Sequence, residues 1–433
     1  MSESKKKYLL SLFIGLYFCS AALTNLISLP FVKEKVQIAE LLFLPIFVLG
    51  YRYIFDDFRR KAYKKWFLYL PFLYVCINLL SSFINGGLSS MLESFGKVYL
   101  FLFYWITWSV FRHFSESELK AFLYKYVTFT SIIIIFTCFV GFLLWFCGVP
   151  NMTGEPENYP YLGIVYRANG LTRTPGMLIS VINICAPILV LKCATSKQKT
   201  DFLLLILLLI VAFFTFSKSN IFLWANVVLL FFYLFLQKKN NEKWLNQFNL
   251  FVLFALGFVF FVFNIATHFL PIPKHFEALE AFKAQYISDH IVAQTHNYDI
   301  YETCYLSTKR AAISVFQKNP FLGVGTGNFD AALPQLKAEG LYPKDLPIYN
   351  PHSTFTGALA ENGIFGFLAM TLFLFLLLKK AFLNKQNSSL YFALFLCFFT
   401  AISEAFVADT MNFRHYWFLF AIVAAICTFN QRD

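Results

Sequence analysis

A histidine stands at the start of an apolar stretch in the last fifth of the chain. His352 opens the sequence His-Ser-Thr-Phe-Thr-Gly-Ala-Leu-Ala-Glu-Asn-Gly-Ile-Phe-Gly, which ends at Gly366. A polar entry into a membrane helix is costly and usually functional. A neutral imidazole near pH 7 can take the proton of an attacking hydroxyl group. We therefore predict that His352 is a general base; the alternative is that it caps its helix or anchors it at the membrane interface.

Three arginines in the segments that connect apolar stretches could bind an anion. They are Arg167, Arg173 and Arg310. A guanidinium group is planar, offers paired hydrogen bonds and stays charged in a partly desolvated site. It suits a reaction whose leaving group gains negative charge in the transition state. As alternatives, Arg310 could form an ion pair with Asp299 or Glu302, and Arg173 could extend its charge to the interface from the entrance of a helix.

A glycine-rich turn lies between these groups. Residues 321–329 read Phe-Leu-Gly-Val-Gly-Thr-Gly-Asn-Phe and directly follow Asn319-Pro320. The pattern could be mistaken for a nucleotide-binding loop, but such a loop needs a strand before it and a helix after it, and neither is predicted here. We expect instead a tight turn whose glycines bring its backbone close to a neighbouring segment.

The composition defines the elements that must position these residues. Of 433 residues, 58% are hydrophobic, 20% aromatic and only 14% charged. A chain this apolar cannot keep its surface out of water as an ordinary globular domain, so it is predicted to be an all-α integral membrane protein. About 17 to 25 apolar residues suffice for a helix to cross a bilayer. About twelve such windows occur, with eleven or thirteen as alternatives, near residues 8–28, 37–55, 66–85, 97–113, 126–148, 176–193, 202–217, 219–236, 248–269, 355–378, 389–406 and 414–430.

Basic residues follow every even-numbered window, and short loops rich in Lys and Arg are retained in the cytoplasm. Lys5-Lys6-Lys7 also precede the first window. Both termini are therefore predicted to be cytoplasmic, and the first window lacks the cleavage site of a signal peptide. The net charge of +12 is explained by this topology and by attraction to anionic membrane lipids, so it indicates no nucleic-acid partner.

The predicted organisation has three parts. Residues 1–270 hold transmembrane helices 1–9 and an external loop at 149–175. Residues 271–351 form a large, partly helical periplasmic loop between helices 9 and 10. Residues 352–433 hold helices 10–12. Long loops commonly bind or catalyse, so function is expected in the two external segments.

Two helices are predicted within the large loop. Apolar residues at helical spacing over 273–286 indicate a helix that lies at the membrane interface. A second helix is expected over 308–317, and Pro320 ends it because proline lacks an amide donor.

Other polar residues have simpler interpretations. Four ionisable residues collect near the last predicted external turn: Glu404, Asp409, Arg414 and His415. An ion pair that closes the bundle is the favoured interpretation of this group, although ionisable groups at membrane depth suggest a role. No cofactor and no metal site are predicted, since Glu155 and Glu157 form only a weak external pair.

The order of the polar features resembles the O-antigen ligase and polymerase superfamily of bacterial membrane glycosyltransferases. Arg310, the turn at 319–329 and a histidine about two dozen residues later follow one another as in that family. The spacing of His352-Ser353, nine residues, Gly363, two residues and Gly366 is similar to the ligase signature. The resemblance is specific over about 300–370.

Two earlier segments resemble the family more weakly. Arg167-Ala-Asn-Gly170, followed by Pro175, is similar to an arginine segment of the family. Residues 215–219, Thr-Phe-Ser-Lys-Ser, resemble its Ser-Arg turn, with Lys218 in place of the usual arginine.

The resemblance implies a specific reaction at the bacterial inner (cytoplasmic) membrane. An O-antigen ligase transfers a polysaccharide from undecaprenyl pyrophosphate to a lipid A-core sugar on the periplasmic face, with inversion and without a metal. It implies His352 and Arg310 as catalytic residues. The pyrophosphate would be bound by Arg167, Arg173, Arg310 and Lys218, and the structural glycines would be Gly323, Gly325, Gly327, Gly363 and Gly366.

Other functions remain open at this point. A repeat-unit polymerase or a protein O-oligosaccharyltransferase would use the same donor with another acceptor, which motifs do not reveal. A polysaccharide flippase or other transporter would also suit twelve spans. A transporter should carry internal repeats and charges deep in its spans, and neither is evident here, so an enzyme is favoured.

Overall fold

The computed structural model describes residues 3–25, 37–62, 65–149, 152–160, 162–239, 242–276, 279, 282 and 286–428. Most of these residues are helical, as the apolar windows predict. The helices are α1 (Glu3–Cys19), α2 (Ile38–Arg59), α3 (Trp66–Ser81), α4 (Gly87–Phe111), α5 (Glu116–Phe146), α6 (Pro175–Ser196), α7 (Lys199–Phe214), α8 (Asn220–Lys238), α9 (Glu242–His268), α10 (Cys304–Lys318), α11 (Phe329–Ala338), α12 (Thr354–Asn384), α13 (Ser389–Glu404) and α14 (Arg414–Ile426).

Within the described residues, each of the twelve apolar windows overlaps a helix, and eight helical stretches are long and apolar enough to cross a membrane. The eight are Lys5–Leu23, Ile38–Arg59, Trp66–Phe111, Glu116–Phe146, Pro175–Ser196, Asn220–Lys238, Gln247–His268 and Thr354–Asn384. The two apolar helices α13 and α14 are shorter. The chain is therefore a multi-pass membrane protein, and the figure of twelve crossings stays a prediction.

The centre of the bundle is formed by α6, α13 and α14, whose side chains are buried over almost their whole length. Packing and polar contacts must hold these helices together, because lipid is as apolar as their side chains. The buried carboxylate of Glu404 accepts a hydrogen bond from Asn183 Nδ2 at 2.9 Å and another from the Tyr416 hydroxyl. One carboxylate thus joins α6, α13 and α14.

The polar residues of the last turn have separate partners. Arg414 forms an ion pair with Glu40 of α2, and its Nε lies 2.8 Å from the same carboxylate. His415 Nε2 lies 2.8 Å from Ser180 Oγ. An ion pair therefore does link the ends of the bundle, but it runs from α14 to α2 and does not join members of the predicted group to one another.

Both segments that are predicted to be external contain strands that the sequence does not predict. β1 (Gly154–Tyr159) and β2 (Gly163–Ala168) form an antiparallel hairpin. β3 (Phe269–Pro273), β4 (Ile287–Gln294) and β5 (Tyr298–Thr303) form an antiparallel sheet in the order β3-β5-β4. The all-α prediction therefore holds for most of the described chain, including the helices α10 and α11 of the large loop, and these short strands are the exception. These strands are short, and prolines in β1 and β3 weaken the alternation that identifies a strand.

The helix predicted over 273–286 falls largely outside the described residues. Its apolar positions Phe276, Leu279 and Phe282 are described, and they pack against the sheet residues Ile272 and Tyr301. The second predicted helix is α10, which begins four residues earlier than expected and ends at Lys318, as the following Asn-Pro sequence predicts.

The long helix α12 is interrupted at Gly363, whose backbone has φ 63° and ψ −165°. Residues 320–325 fill the break. The Ile364 amide donates to Pro320 O at 2.8 Å, while the amides of Val324 and Gly325 donate to the carbonyls of residues 360 and 361 at 3.0 and 2.9 Å. A Cβ atom on Gly363 would lie 2.1 Å from Phe321 O. The turn thus replaces hydrogen bonds that a continuous helix would make.

The other side of the glycine-rich turn lies on the hairpin between α3 and α4. A Cβ atom on Gly325 would lie 2.7 Å from Gly86 Cα. Asn85 Nδ2 donates to Gly323 O at 2.8 Å, and the Thr326 amide donates to Ser82 Oγ at 3.1 Å. The backbone approach expected of a tight turn is present. A helix, α11, does follow the turn, contrary to the sequence analysis, but α10 rather than a strand precedes it.

Candidate active site

His352 lies between two aromatic rings at the end of the bundle that carries the two external segments. Its ring centroid is 4.9 Å from that of Tyr305 on α10 and 5.2 Å from that of Tyr349. The backbone of His352 is left-handed, with φ 45°, and its amide donates to Asn350 Oδ1 at 3.1 Å. Such a conformation costs a non-glycine residue about 1 kcal/mol or more. Its surroundings therefore impose the position of the ring.

Ser353, and not His352, caps α12. Ser353 Oγ accepts from the Thr356 amide at 3.4 Å. The Thr354 amide donates to Ala405 O at 2.8 Å, and Thr354 Oγ1 donates to Ala408 O at 3.0 Å. These bonds fix the start of α12 to the turn after α13. In the part of the chain that the structure describes, neither ring nitrogen of His352 forms a hydrogen bond, so the imidazole can accept a proton.

The electrostatic surroundings keep His352 neutral. Burial of the ring, followed by the charge of Lys309, lowers its pKa to about 4. At pH 7 the imidazole is therefore uncharged, which is the form a general base needs. A nearby anion would oppose the charge of Lys309 and raise this pKa again.

Arg167 is held between the β1–β2 hairpin and the turn after α7. It forms an ion pair with Glu157, and its Nε donates to Thr215 O at 3.3 Å. Its guanidinium carbon lies 6.0 Å from the centroid of the Tyr159 ring. Its hydrogen bond to Thr215 O places Arg167 beside the turn between α7 and α8.

Lys218 comes from the turn between α7 and α8, and its Nζ lies 5.9 Å from the centroid of the Tyr305 ring. Burial, together with the charge of Arg167, lowers its pKa to about 8. Among the described residues, Lys218 forms no ion pair with a carboxylate. A cation without a carboxylate partner is well suited to receive an anion. The structure therefore brings Lys218 and Arg167 to the ring against which His352 packs.

The other two predicted arginines lie differently. The side chain of Arg310 is 61% exposed, and its Nη1 lies 2.8 Å from Oε2 of the buried Glu302. This is one of the ion pairs that the sequence analysis considered. Partial burial and the nearby guanidinium of Arg414 lower the pKa of Arg173. Arg173 thus lies at the α14 side of the bundle, and no contact joins it to His352 among the described residues.

Two residues near His352 were not selected from the sequence. Lys309 Nζ lies 2.5 Å from Nε2 of His268, the last residue of α9. No motif in the sequence marks His268. The available signal was the helical spacing of Tyr305 and Lys309, which share one face of α10 four residues apart.

The side chains around His352 determine which groups this region can hold. Within the described ranges, no group of three or more His, Cys, Asp or Glu side chains is arranged to hold a metal ion. The side chains near His352 are instead cations and aromatic rings. Such a set can bind an anionic group and accept a proton.

Comparison with known proteins identifies one domain. Residues 203–371 match a family model described as O-antigen ligase. The matched segment runs from α7 to the middle of α12 and includes Lys218, Lys309 and His352, but not Arg167. No curated protein matches the chain. The match confirms the resemblance to the O-antigen ligase and polymerase superfamily.

Proposed function

Because residues 203–371 carry the domain of the O-antigen ligase and polymerase superfamily, we propose that this chain is an O-antigen ligase. It transfers a polysaccharide from undecaprenyl pyrophosphate to a lipid A-core sugar at the periplasmic face of the inner membrane. The observation that carries the proposal is the neutral His352, which lies against Tyr305 beside Lys218 and Lys309, for which the described residues supply no carboxylate partner. A general base and anion-binding groups are what this transfer requires.

His352 and the cations have complementary roles in the proposed reaction. His352 takes the proton of the acceptor hydroxyl as its oxygen attacks the anomeric carbon. The new glycosidic bond forms as the bond to the pyrophosphate breaks, and the lipid pyrophosphate leaves with the electron pair. Attack from the side opposite the leaving group inverts the anomeric centre. Arg167 and Lys218 stabilise the negative charge that grows on the pyrophosphate.

Donor binding strengthens the base in this mechanism. Without an anion, burial and Lys309 keep the pKa of His352 at about 4, so it is a weak base. A bound pyrophosphate offsets the positive charge around the ring and raises that pKa. The acceptor hydroxyl is then activated only when the donor is in place.

The proposal is tested by transfer with purified components. The chain in detergent, with EDTA present, receives an undecaprenyl-pyrophosphate-linked glycan and lipid A-core. We expect glycan attached to lipid A-core. Polymerised donor in place of that product would assign a repeat-unit polymerase, and glycan on a protein acceptor would assign a protein O-oligosaccharyltransferase. Flipping of the lipid-linked glycan in vesicles, with no transfer to any acceptor, would assign a transporter.

The two arginines of the external segments should differ in their effect on this transfer. Arg167→Ala removes a partly buried guanidinium, and loss of one preorganised donor to the growing charge costs about 100-fold in rate. Arg310→Ala removes an exposed guanidinium that is directed at Glu302 and away from His352, so only about a twofold change in rate is expected. Initial transfer rates at saturating acceptor measure both.

Two variants control for the loss of the Arg167 ion pair. Glu157→Gln breaks the same pair but keeps the guanidinium, so it should retain most of the activity. Equal losses of transfer rate in Arg167→Ala and Arg310→Ala would contradict the proposal that Arg167 binds the pyrophosphate and Arg310 does not. That result would favour the catalytic role that the sequence predicts for Arg310.

The rate should depend on pH through three groups. His352 must be neutral, so kcat/KM falls as the pH drops toward about 4, where His352 is protonated. Lys218 and Lys309 must be charged, so kcat/KM falls as the pH rises through about 8, where each loses its proton. Rates at limiting donor from pH 4 to pH 9.5 test this. In Lys218→Arg/Lys309→Arg the alkaline fall should disappear, because arginine stays charged. An acid limb at the ordinary histidine value of about 6.5 in the free enzyme would contradict the burial of His352.

A further inference from the structure

A lysine and a histidine form a partly buried polar contact near His352. Lys309 Nζ on α10 lies 2.5 Å from His268 Nε2 at the end of α9. His268 Nδ1 lies 2.7 Å from Asn264 O. A carbonyl oxygen can only accept, so Nδ1 carries the proton and Nε2 is left as an acceptor for the Lys309 ammonium group. His268 therefore fixes the direction of the lysine without neutralising its charge.

The charge of Lys309 has no carboxylate to balance it. Among the described residues, no ion pair includes Lys309. Burial lowers its pKa to about 8, so the ammonium form still predominates at pH 7. A charge withdrawn from water without a counter-ion destabilises the folded protein, and a ligand of opposite charge would remove that cost.

Lys309 and Arg310 are adjacent in sequence but lie on different faces of α10. Tyr305 and Lys309 are four residues apart and share the face on which His352 packs. Arg310 is turned by about 100° from Lys309, as the helical repeat of 3.6 residues requires, and pairs with Glu302. The cation that α10 directs to the site is therefore the lysine.

Three cations lie around Tyr305 and His352. Lys218 lies over Tyr305, the charge of Arg167 acts on Lys218, and the charge of Lys309 acts on His352. His268 experiences the charges of both lysines. Arg167 is offset by Glu157, but no carboxylate among the described residues pairs with Lys218 or Lys309, and an anion with two negative charges would offset both lysines.

We propose that Lys309, positioned by His268, binds the phosphate groups of a substrate together with Lys218 and Arg167. The proposal rests on the proposed function, because it concerns the same site. Two substrates could supply this chemistry: the pyrophosphate of the lipid-linked donor and phosphate esters on the acceptor core. Lys309 is a binding residue, and His268 acts through it as a positioning residue.

Equilibrium binding separates the two sources of phosphate. The purified full chain in detergent is titrated with undecaprenyl pyrophosphate, and separately with phosphorylated lipid A-core. Lys309→Met keeps the apolar length of the side chain and removes the charge. A charge-assisted hydrogen bond contributes about 1.5–3 kcal/mol, so we expect binding of one ligand to weaken by at least about 10-fold. Lys309→Arg should restore most of it, which a merely structural role would not require.

A matched control comes from the same helix. Lys318 of α10 pairs with Glu339 at 2.7 Å, away from the site, so Lys318→Met should bind both ligands as the wild type does. His268→Leu removes the acceptor that holds Lys309 and should weaken binding less than Lys309→Met. Melting temperatures of all variants show whether they are folded.

The outcomes distinguish this inference from the proposed function. Weaker binding of undecaprenyl pyrophosphate to Lys309→Met supports a donor site, and weaker binding of the lipid A-core alone supports an acceptor site. If the wild type binds undecaprenyl pyrophosphate and Lys309→Met binds each ligand as tightly as the wild type does, the inference is wrong and the proposed function stands. If the wild type binds neither ligand, both are wrong.

Discussion

Replacing His352 with alanine should reduce glycan transfer by about 1,000-fold, because general-base catalysis contributes roughly 100- to 10,000-fold. Within the described residues, the ring has no hydrogen-bond partner that its loss would leave unsatisfied, and Ser353 caps the helix in its place. Folding should therefore be retained. Affinity for undecaprenyl pyrophosphate should also be retained or rise slightly, since the cations remain. Single-turnover transfer, with binding measured separately, tests the two parts of this expectation.

His290 offers a matched control for His352. Its side chain is 65% exposed and lies 3.7 Å from Glu302, at the surface of the external sheet. His290→Ala should change the rate by less than about twofold, as expected for an exposed pair. His352→Gln, which keeps a polar side chain but is not a base at neutral pH, should be as inactive as His352→Ala. A His352→Ala protein that retains a tenth of the wild-type rate would show that another group takes the proton.

Replacing Gly363 with alanine should prevent stable folding. The left-handed backbone at this position disfavours any side chain, and the new methyl group would meet the Phe321 carbonyl at 2.1 Å. That carbonyl belongs to the backbone of the turn, so it cannot rotate away. Strain and overpacking of this kind each cost about 1–3 kcal/mol. We expect a loss of about 3 kcal/mol or more, measured as a lower melting temperature or as a lower yield of monodisperse protein in detergent.

Alanine at two other glycines serves as a control, because it adds a methyl group to a helix without disturbing the interruption at Gly363. Gly96 of α4 and Gly257 of α9 have no atom within 4 Å of the position where a Cβ would stand. Neither has a left-handed backbone. Alanine at either position should leave stability unchanged or raise it slightly, since alanine favours helix. A Gly363→Ala protein as stable as these two would mean that the turn does not need to enter α12.

Hydropathy predicts the membrane helices well, because a helix in lipid must satisfy its own backbone and cover it with apolar side chains. That constraint acts within each window and needs no knowledge of neighbours. The strands of the external segments have no such local requirement. β1 reads Gly-Glu-Pro-Glu-Asn-Tyr, and only its pairing with β2 makes it a strand.

Candidate site residues can be predicted where the residue type and a motif indicate the role, and less well where the role depends on direction. His352 is predicted from its chemistry and its motif. Arg310 is predicted because a guanidinium suits a phosphate, whereas the sequence does not reveal that the helical repeat turns Lys309 toward His352. Nothing in the sequence reveals that the end of α9, with His268, meets α10. Such contacts between distant segments come from tertiary packing.

The interruption of α12 bears on how the protein is made. Unpaired peptide groups resist entry into a bilayer, so the first turns of α12 can leave the translocation machinery only when donors and acceptors for the break are at hand. The segment that supplies them, residues 320–325, lies just ahead of α12 and is synthesised before it. The α3–α4 hairpin that receives this segment is synthesised earlier still. The α3–α4 hairpin is therefore already present when residues 320–325 emerge from the ribosome, and both are present when α12 emerges.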